Sequence, residues 1–221
     1  MNVAGQRIII FGDSLSHRGA AEAFEVTEKP PRSSSVPGDL LASYLLGAGA
    51  AAVRLDARVG RSAYNFWDRE DWKNLLAADI AWKPTLVIVM LGTNDIGLSM
   101  SKDGAAMTKI RSAFVATGAD VIAIGPPSFA VARLQDNSGA VVSMLKSVFG
   151  KANVIDARPL STDLTGSQAR TSDQVHFTAA GAGVLAPRLA QAVLDLGGGE
   201  KTVALARWKP LGIGFAVTLG L

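Results

Sequence analysis

RIIIFGDSL, residues 7–15, is a run of β-branched and aromatic residues that ends in a glycine and small polar residues. The uninterrupted apolar stretch from Ile8 to Phe11 is typical of a strand that is buried on both faces, as in a parallel sheet. Gly12 then permits a tight turn at the end of the strand. This stretch predicts an α/β fold in which polar residues lie just beyond the sheet.

The same pattern recurs along the chain. Four further apolar runs predict strands over Val53 to Val59, Thr85 to Leu91, Asp120 to Ile124 and Asn153 to Asp156. Segments with helical periodicity lie beside them, over Gly38 to Leu46, Ala63 to Ile80, Asp103 to Thr117, Gly139 to Val148 and Ala179 to Leu196. The alternation predicts a five-stranded parallel sheet with helices on both faces, and its common strand order is 2-1-3-4-5.

Two segments depart from this alternation. Residues 16–37 form a long polar insertion, which we interpret as a functional or mobile loop. A three-glycine linker begins at Gly197, and a large apolar residue occupies every odd position from Leu211 to Leu221. This period of two predicts a strand with one apolar face. We therefore expect a main domain over residues 1–197 and a linker with a strand-like extension over 198–221.

Composition excludes several classes of protein. The chain has 221 residues, 48% of them apolar and 19% charged, as in an ordinary globular domain. It has no cysteine, which excludes disulfide frameworks, thiol nucleophiles and cysteine-ligated metal sites. A net charge of +3 without a basic run argues against nucleic acid as a partner. No apolar stretch is long enough for a membrane span, and no leader pattern is visible, so we expect a cytoplasmic protein, although release by a route without a cleaved leader would leave the same sequence.

Ser14 lies just past the first strand, where a nucleophile would be exposed. A serine nucleophile needs a general base, and the only histidines are His17 and His176. His17 follows in the loop with no orienting carboxylate beside it in sequence. His176 comes three residues after Asp173, a spacing that can place a carboxylate on the imidazole in a turn. The alternative interpretation of this segment is that Asp173 or Ser172 caps the last helix.

Acyl transfer also needs donors that stabilise an oxyanion. The third predicted strand ends in a segment containing Asn94, and the second ends in a turn containing Gly60. In the common strand order these strands flank the first one, so Ser14, Gly60 and Asn94 are expected to face one crevice.

These blocks together resemble the SGNH or GDSL hydrolase superfamily over about residues 6–197. They are Gly12-Asp13-Ser14-Leu15, the Gly60 turn, Gly92-Thr93-Asn94-Asp95 and Asp173-x-x-His176. The resemblance implies a flavodoxin-like three-layer α/β/α sandwich and a serine esterase that uses no metal or organic cofactor. It implies Ser14 as nucleophile, His176 as base and Asp173 as its orienting acid. The oxyanion hole implied is the Ser14 and Gly60 N–H groups with the Asn94 amide.

The sequence departs from the family pattern after Leu15, where many relatives have Thr and Gly and this chain has Ser16, His17 and Arg18. The family's substrate contacts therefore cannot be transferred there. From their positions near the expected crevice, we predict substrate contacts from His17, Arg18, Arg61, Phe66 and Trp67. The alternative for the aromatic residues is that they pack a helix against the sheet.

The predicted function is hydrolysis of a carboxylic ester, with a short acyl group such as acetyl on a carbohydrate or other small alcohol. Two alternatives remain open from sequence. One is a lipase or thioesterase that acts on longer acyl chains. The other is a glycan-binding or assembly module with weak activity, in which the C-terminal extension mediates homo-oligomerisation by pairing with another chain's sheet edge. The extension could equally pair with its own domain.

Overall fold

The computed structural model describes residues 1–17, 23–30 and 33–196. Arg18 and the extension over 198–221 lie outside the described residues, so the predictions made for them remain predictions. Within the described ranges, no helix has both the length and the apolar character that a bilayer span requires.

The sheet has six strands in the order β2-β3-β1-β4-β5-β6. The strands are β1 (Arg7–Gly12), β2 (Phe24–Val26), β3 (Ala52–Ala57), β4 (Leu86–Met90), β5 (Asp120–Ile124) and β6 (Val154–Ile155). All pairs are parallel except β2 with β3. The five parallel strands are those predicted, in the predicted order, which confirms the flavodoxin-like arrangement.

The sixth strand corrects the expected strand count. β2 lies inside the segment interpreted as a loop, and it forms the edge of the sheet by pairing antiparallel with β3 through Phe24 opposite Leu55 and Val26 opposite Val53. Three residues are too few for a period-two pattern to stand out from a polar segment. The insertion is thus partly anchored to the sheet.

Helices cover both faces of the sheet, as predicted. They are α1 (Pro37–Gly47), α2 (Glu70–Ala81), α3 (Met100–Val115), α4 (Ala132–Phe149) and α5 (Ala179–Asp195). Residues of β1 alternate between the two layers: Ile8 and Ile10 pack with α1 and α5, whereas Ile9 and Phe11 pack with α2, α3 and α4. This alternation follows from the pleat of the strand.

Two helices begin seven residues away from their predicted starts, and the other helix boundaries agree to within three residues. The helix expected from Ala63 begins only at Glu70, after a single 3₁₀ turn over Phe66–Asp68. α4 begins at Ala132, earlier than the predicted Gly139, because its first turns are largely polar and exposed and carry little apolar periodicity.

Candidate active site

Ser14, His176 and Asp173 form a continuous hydrogen-bonded chain. Ser14 Oγ lies 2.8 Å from His176 Nε2. His176 Nδ1 lies 2.6 Å from Asp173 Oδ2. Ser14 follows β1 by two residues, and His176 precedes α5 by three residues, so the carboxyl end of the sheet brings together groups 162 residues apart. A hydroxyl, an imidazole and a carboxylate in this order can act as nucleophile, base and orienting acid.

The turn after β1 holds Ser14 in place. The Ser16 and His17 N–H groups donate to the Asp13 carbonyl at 3.0 and 3.2 Å, and the Leu15 N–H donates to Asp13 Oδ1 at 2.9 Å. Ser16 is fully buried between two glycines: a Cβ on Gly12 would lie 1.9 Å from Ser16 Oγ. A Cβ on Gly38 would lie 2.4 Å from Ser16 Cα. Glycine at both positions therefore permits the close approach of α1 to the serine turn.

Asp173 is fixed by its own loop. Its Oδ1 accepts hydrogen bonds from the Thr171 hydroxyl at 2.7 Å and from the Val175 and His176 N–H groups at 2.9 Å each. Gln174, between them, adopts a left-handed backbone with φ of 60°. Partial burial raises the pKa of Asp173, but the hydrogen bonds from His176, Thr171 and Val175 outweigh it and hold that pKa well below its usual range. Asp173 is therefore ionised at neutral pH.

Gly60 and Asn94 follow β3 and β4, the two strands that flank β1. Asn94 Nδ2 donates one hydrogen bond to the Arg61 carbonyl at 3.0 Å, which orients the amide and leaves its second N–H for another acceptor. Gly60 is exposed and adopts a φ of 73° in the turn closed by the Arg61 N–H and the Arg58 carbonyl. Both groups thus lie at the same edge of the sheet as Ser14.

The structure contradicts the predicted substrate contact of Arg61. Its side chain is completely buried, and its Nη2 donates to both carboxylate oxygens of Asp56, at 3.0 and 3.1 Å. It also donates to the Gly12 carbonyl and stacks over Phe11, with Cζ 4.4 Å from the ring centroid. Arg61 therefore connects the ends of β1 and β3 beneath the site. Asp56 lies five residues earlier in a strand, and sequence spacing alone did not predict that this pair would turn inward.

The predicted contact of Phe66 is also wrong, because its ring is fully buried against Phe11 at a centroid distance of 5.7 Å. Trp67 is half-buried, packs edge-on against Phe66, and donates through Nε1 to the Ala106 carbonyl at 3.3 Å. These two aromatics join the 3₁₀ turn to α3, which is the packing role that sequence analysis gave as the alternative.

His17 has an orienting carboxylate, contrary to expectation. Its Nδ1 lies 3.1 Å from Asp39 Oδ1, and Asp39 Oδ2 accepts a hydrogen bond from the Ser34 hydroxyl at 3.1 Å. The ring also contacts Phe24 edge-on at 4.9 Å between centroids. Asp39 lies 22 residues along the chain, in the first turn of α1, so no local pattern revealed it. The substrate contact of His17 stays a prediction.

Two buried carboxyls lie beneath the site, and sequence analysis did not single them out. Burial raises the pKa of Asp13 to about 7, and the charge of Asp95 adds to the shift while the Leu15 N–H and Arg61 oppose it. Burial likewise raises the pKa of Asp95 to about 7; Asp103 adds to it and the Tyr64 N–H, 3.0 Å from Oδ1, opposes it. These acids favour the neutral form that buried, incompletely paired carboxyls adopt.

A small cavity lies next to the serine and histidine turns. Its volume is about 20 Å³, enough for one group the size of water or methyl. Leu15, which follows Ser14, and Phe177, which follows His176, form part of its wall. The remaining wall is mostly apolar, with Asp13 and Thr93 as its polar members, and also includes Pro37, Met90, Leu91, Ile124, Gly125, Pro126, Pro127, Ala157, Leu185 and Leu189.

Solved structures of esterases share this fold. The chain aligns with Axe2, an acetylxylan esterase from Geobacillus stearothermophilus, with a TM-score of 0.63 and 17% identity over 87% of this chain and 96% of that one. It aligns with a lipase/acylhydrolase from Enterococcus faecalis with a TM-score of 0.60 and 21% identity, over 85% of this chain and 95% of that one. No curated protein sequence gives a significant match.

The family model of GDSL-like lipases and acylhydrolases matches residues 10–184 of this chain. The matched range begins within β1, before Ser14, and ends within α5, after His176. It therefore contains every strand end at which the sequence predicted chemistry. Because the match extends over most of the chain, the protein belongs to the GDSL-like lipase/acylhydrolase family and is a carboxylic ester hydrolase.

Proposed function

We propose that the protein is a serine esterase that works through an acyl-enzyme intermediate and prefers a short acyl group. The hydrogen-bonded chain from Ser14 through His176 to Asp173 is the observation that carries the proposal. An ionised Asp173 holds the His176 tautomer whose Nε2 can accept the Ser14 proton.

In this mechanism Ser14 Oγ attacks the ester carbonyl carbon while His176 Nε2 takes the hydroxyl proton. The carbonyl oxygen becomes an oxyanion, and the Ser14 and Gly60 N–H groups and the Asn94 amide stabilise it. His176 then gives the proton to the leaving alcohol, and an acyl-serine remains. Water repeats the sequence with His176 as base, which releases the acid and restores Ser14.

The short acyl preference rests on the cavity beside the catalytic turns. A space of about 20 Å³ with mostly apolar walls is large enough for the methyl group of an acetyl ester, and its walls include Leu15 and Phe177, the chain neighbours of Ser14 and His176. Axe2 is named as an acetylxylan esterase, and its described catalytic mutants replace a serine, an aspartate and a histidine. These descriptions agree with an acetyl ester of a carbohydrate as the substrate class.

Hydrolysis of nitrophenyl acetate, butyrate and decanoate by the wild type and by Ser14→Ala tests this proposal. We expect the acetate to be the best substrate and Ser14→Ala to lower kcat by at least about 10³-fold, because the nucleophile is lost. Ser143→Ala is the matched control, since Ser143 is exposed on α4 and its hydroxyl bonds only to the Gly139 carbonyl among the contacts described.

Unchanged hydrolysis by Ser14→Ala would contradict the serine mechanism. A wild type that prefers decanoate would retain the mechanism but replace the short acyl preference with a lipase or thioesterase activity. Activity on acetylated xylo-oligosaccharides, followed by acetate release, then distinguishes a carbohydrate ester from other small esters.

A further inference from the structure

We propose that Arg170 is a positioning residue that holds the His176 loop in register with the nucleophile. This inference rests on the proposed function of His176. Arg170 lies at the start of the loop, where it forms an isolated antiparallel bridge with Phe177 at the loop's end. Arg170 belongs to none of the sequence motifs identified above.

The Arg170 guanidinium joins three separate segments through backbone carbonyls. Nε donates to the Leu164 carbonyl at 2.8 Å, and Nη1 donates to the Val175 carbonyl at 2.5 Å. Nη2 donates to the carbonyl of Ser128, which lies in the β5–α4 connection. Val175 immediately precedes His176, so one of these bonds acts on the peptide unit that carries the base. The planar fork of arginine can reach three carbonyls in different directions, whereas a lysine presents one nitrogen.

Burying the charged Arg170 guanidinium is costly, so we expect the arrangement to have a specific role. Arg170 is 2% exposed, and no ion pair to a carboxylate is found for it within the described ranges. The guanidinium instead stacks on Phe177, with Cζ 3.6 Å from the ring centroid. Burial lowers the pKa of Arg170 to about 10, so the group is still charged at neutral pH. The charge of Asp173 opposes this shift from beyond ion-pair distance, so carbonyl dipoles and a ring make the direct contacts with the buried cation. Such directional contacts favour one fixed loop geometry over a mobile one.

The conformation of the loop that carries Asp173 and His176 explains why it needs a connection to the rest of the fold. Asp173 is exposed and His176 is half-buried, and Gln174 between them has a left-handed backbone that costs conformational energy. Hydrogen bonds from Thr171 close the loop internally, through its N–H to the His176 carbonyl at 2.9 Å and its hydroxyl to Asp173. These bonds keep Asp173 against His176, but they do not fix the loop to the sheet. Arg170 supplies that connection through Ser128 and Leu164.

The test compares Arg170→Gln and Arg170→Lys with the wild type on nitrophenyl acetate. Loss of the three hydrogen bonds from the Arg170 guanidinium misplaces His176 relative to Ser14. We therefore expect kcat to fall by about 10- to 100-fold while KM changes by less than about threefold. Lys retains the charge and the aliphatic stem but not the fork, so its kcat should lie between those of Gln and the wild type. Rates are expressed per folded molecule, measured by near-UV circular dichroism.

A second readout reports on the loop without turnover. The proton between His176 Nδ1 and Asp173 should give a downfield NMR resonance, and we expect it to broaden or shift in both Arg170 variants. Arg188→Gln and Arg188→Lys are the matched controls, because Arg188 also donates to a carbonyl, that of Leu160, but on the partly exposed surface of α5. Neither kcat nor the resonance should change in them.

Equal kcat in the Arg170 variants and wild type, or losses no larger than those of the Arg188 variants, would overturn the proposal. If Arg170→Gln does not fold, Arg170→Lys alone decides between these outcomes. If the wild type hydrolyses no ester, the proposed function fails, and the downfield resonance still decides whether Arg170 orders the His176–Asp173 pair.

Discussion

Asp173 accepts four hydrogen bonds in the structure, three on Oδ1 from its own loop and one on Oδ2 from His176. The three loop bonds hold the carboxylate in position independently of the imidazole. An asparagine amide at this position could accept the same three loop hydrogen bonds through its oxygen. Its NH₂ would then face His176 Nδ1. The imidazole would have to accept there and carry its proton on Nε2, where it cannot accept one from Ser14.

Asp173→Asn should therefore lower kcat by roughly 10³- to 10⁴-fold with little change in thermal stability. Nitrophenyl acetate hydrolysis and a melting curve measure the two effects. Asp163→Asn serves as control, because Asp163 forms only a partly exposed ion pair with Arg188, and its activity should equal that of the wild type. A fully active Asp173→Asn would show that the carboxylate does not orient the base.

Contacts that follow from strand ends and from short spacing along the chain could be predicted from the sequence. Ser14 follows a strand directly, and Asp173 lies three residues before His176, so the hydrogen-bonded chain follows from local spacing once the sheet forms. The partners of Arg61 and His17 could not be predicted, because each is paired with an acid, Asp56 or Asp39, whose approach depends on tertiary packing. Arg170 was missed because its partners are backbone carbonyls, which leave no mark on the sequence.

Among the elements, α5 both follows His176 and closes one side of the cavity through Leu185 and Leu189. The Thr178 hydroxyl caps the helix by accepting from the Gly181 N–H, and Thr178 joins the helix to the preceding segment by donating to the Gln168 carbonyl at 2.6 Å and the Ala169 carbonyl at 3.0 Å. A Cβ on Gly181 would lie 2.1 Å from the Ala169 carbonyl oxygen, so the helix packs directly on the loop. A change in the α5 face should thus alter acyl selection without altering the chemistry.

Leu185→Ala enlarges the cavity. We expect the ratio of butyrate to acetate hydrolysis to rise by about 10-fold or more, because burying the two additional methylenes of the butyryl group is worth about 1.6 kcal/mol. The same variant should lose about 2 to 5 kcal/mol of stability. Leu145→Ala is the matched control: Leu145 is equally buried but packs on the other face of the sheet. If both variants keep the wild-type chain-length profile, the cavity does not receive the acyl group.

Apolar elements were predicted from sequence, including the two-residue strand β6, and elements in polar segments were not. The five parallel strands are buried on both faces, so their composition alone identifies them. β2 has only three residues, and it depends on the open edge of β3 for its hydrogen bonds. The first turns of α4 are exposed, so burial imposes no pattern on them.

For the molecule as a whole, buried acids near the site couple stability to pH. The folded state binds a proton at Asp95 with a pKa of about 7, against an ordinary value of 3.8. Its contribution to stability is therefore complete below about pH 4 and is lost as the pH rises toward and through 7. The free energy of unfolding should fall by up to about 1.4 kcal/mol per pH unit over that interval.

Asp95→Asn removes this titration while its side-chain oxygen can still accept from the Tyr64 N–H. We expect the variant's Tm to fall less than that of the wild type between pH 5 and 8, and to exceed it at pH 8. Asp68→Asn, an exposed change, should follow the wild-type curve. If the Tm of Asp95→Asn and the Tm of the wild type change in parallel between pH 5 and 8, Asp95 does not titrate in that range.

The 162 residues between the partners Ser14 and His176 also have a consequence for biosynthesis. The proposed nucleophile Ser14 and the proposed oxyanion donors Gly60 and Asn94 are synthesised within the first 94 residues, whereas the proposed base His176 is added 82 residues later. A nascent polypeptide that stops before His176 contains Ser14 but lacks the imidazole that contacts it in the folded protein. Esterase activity should therefore arise only once translation has passed residue 176, so that the growing chain cannot hydrolyse esters in its own surroundings.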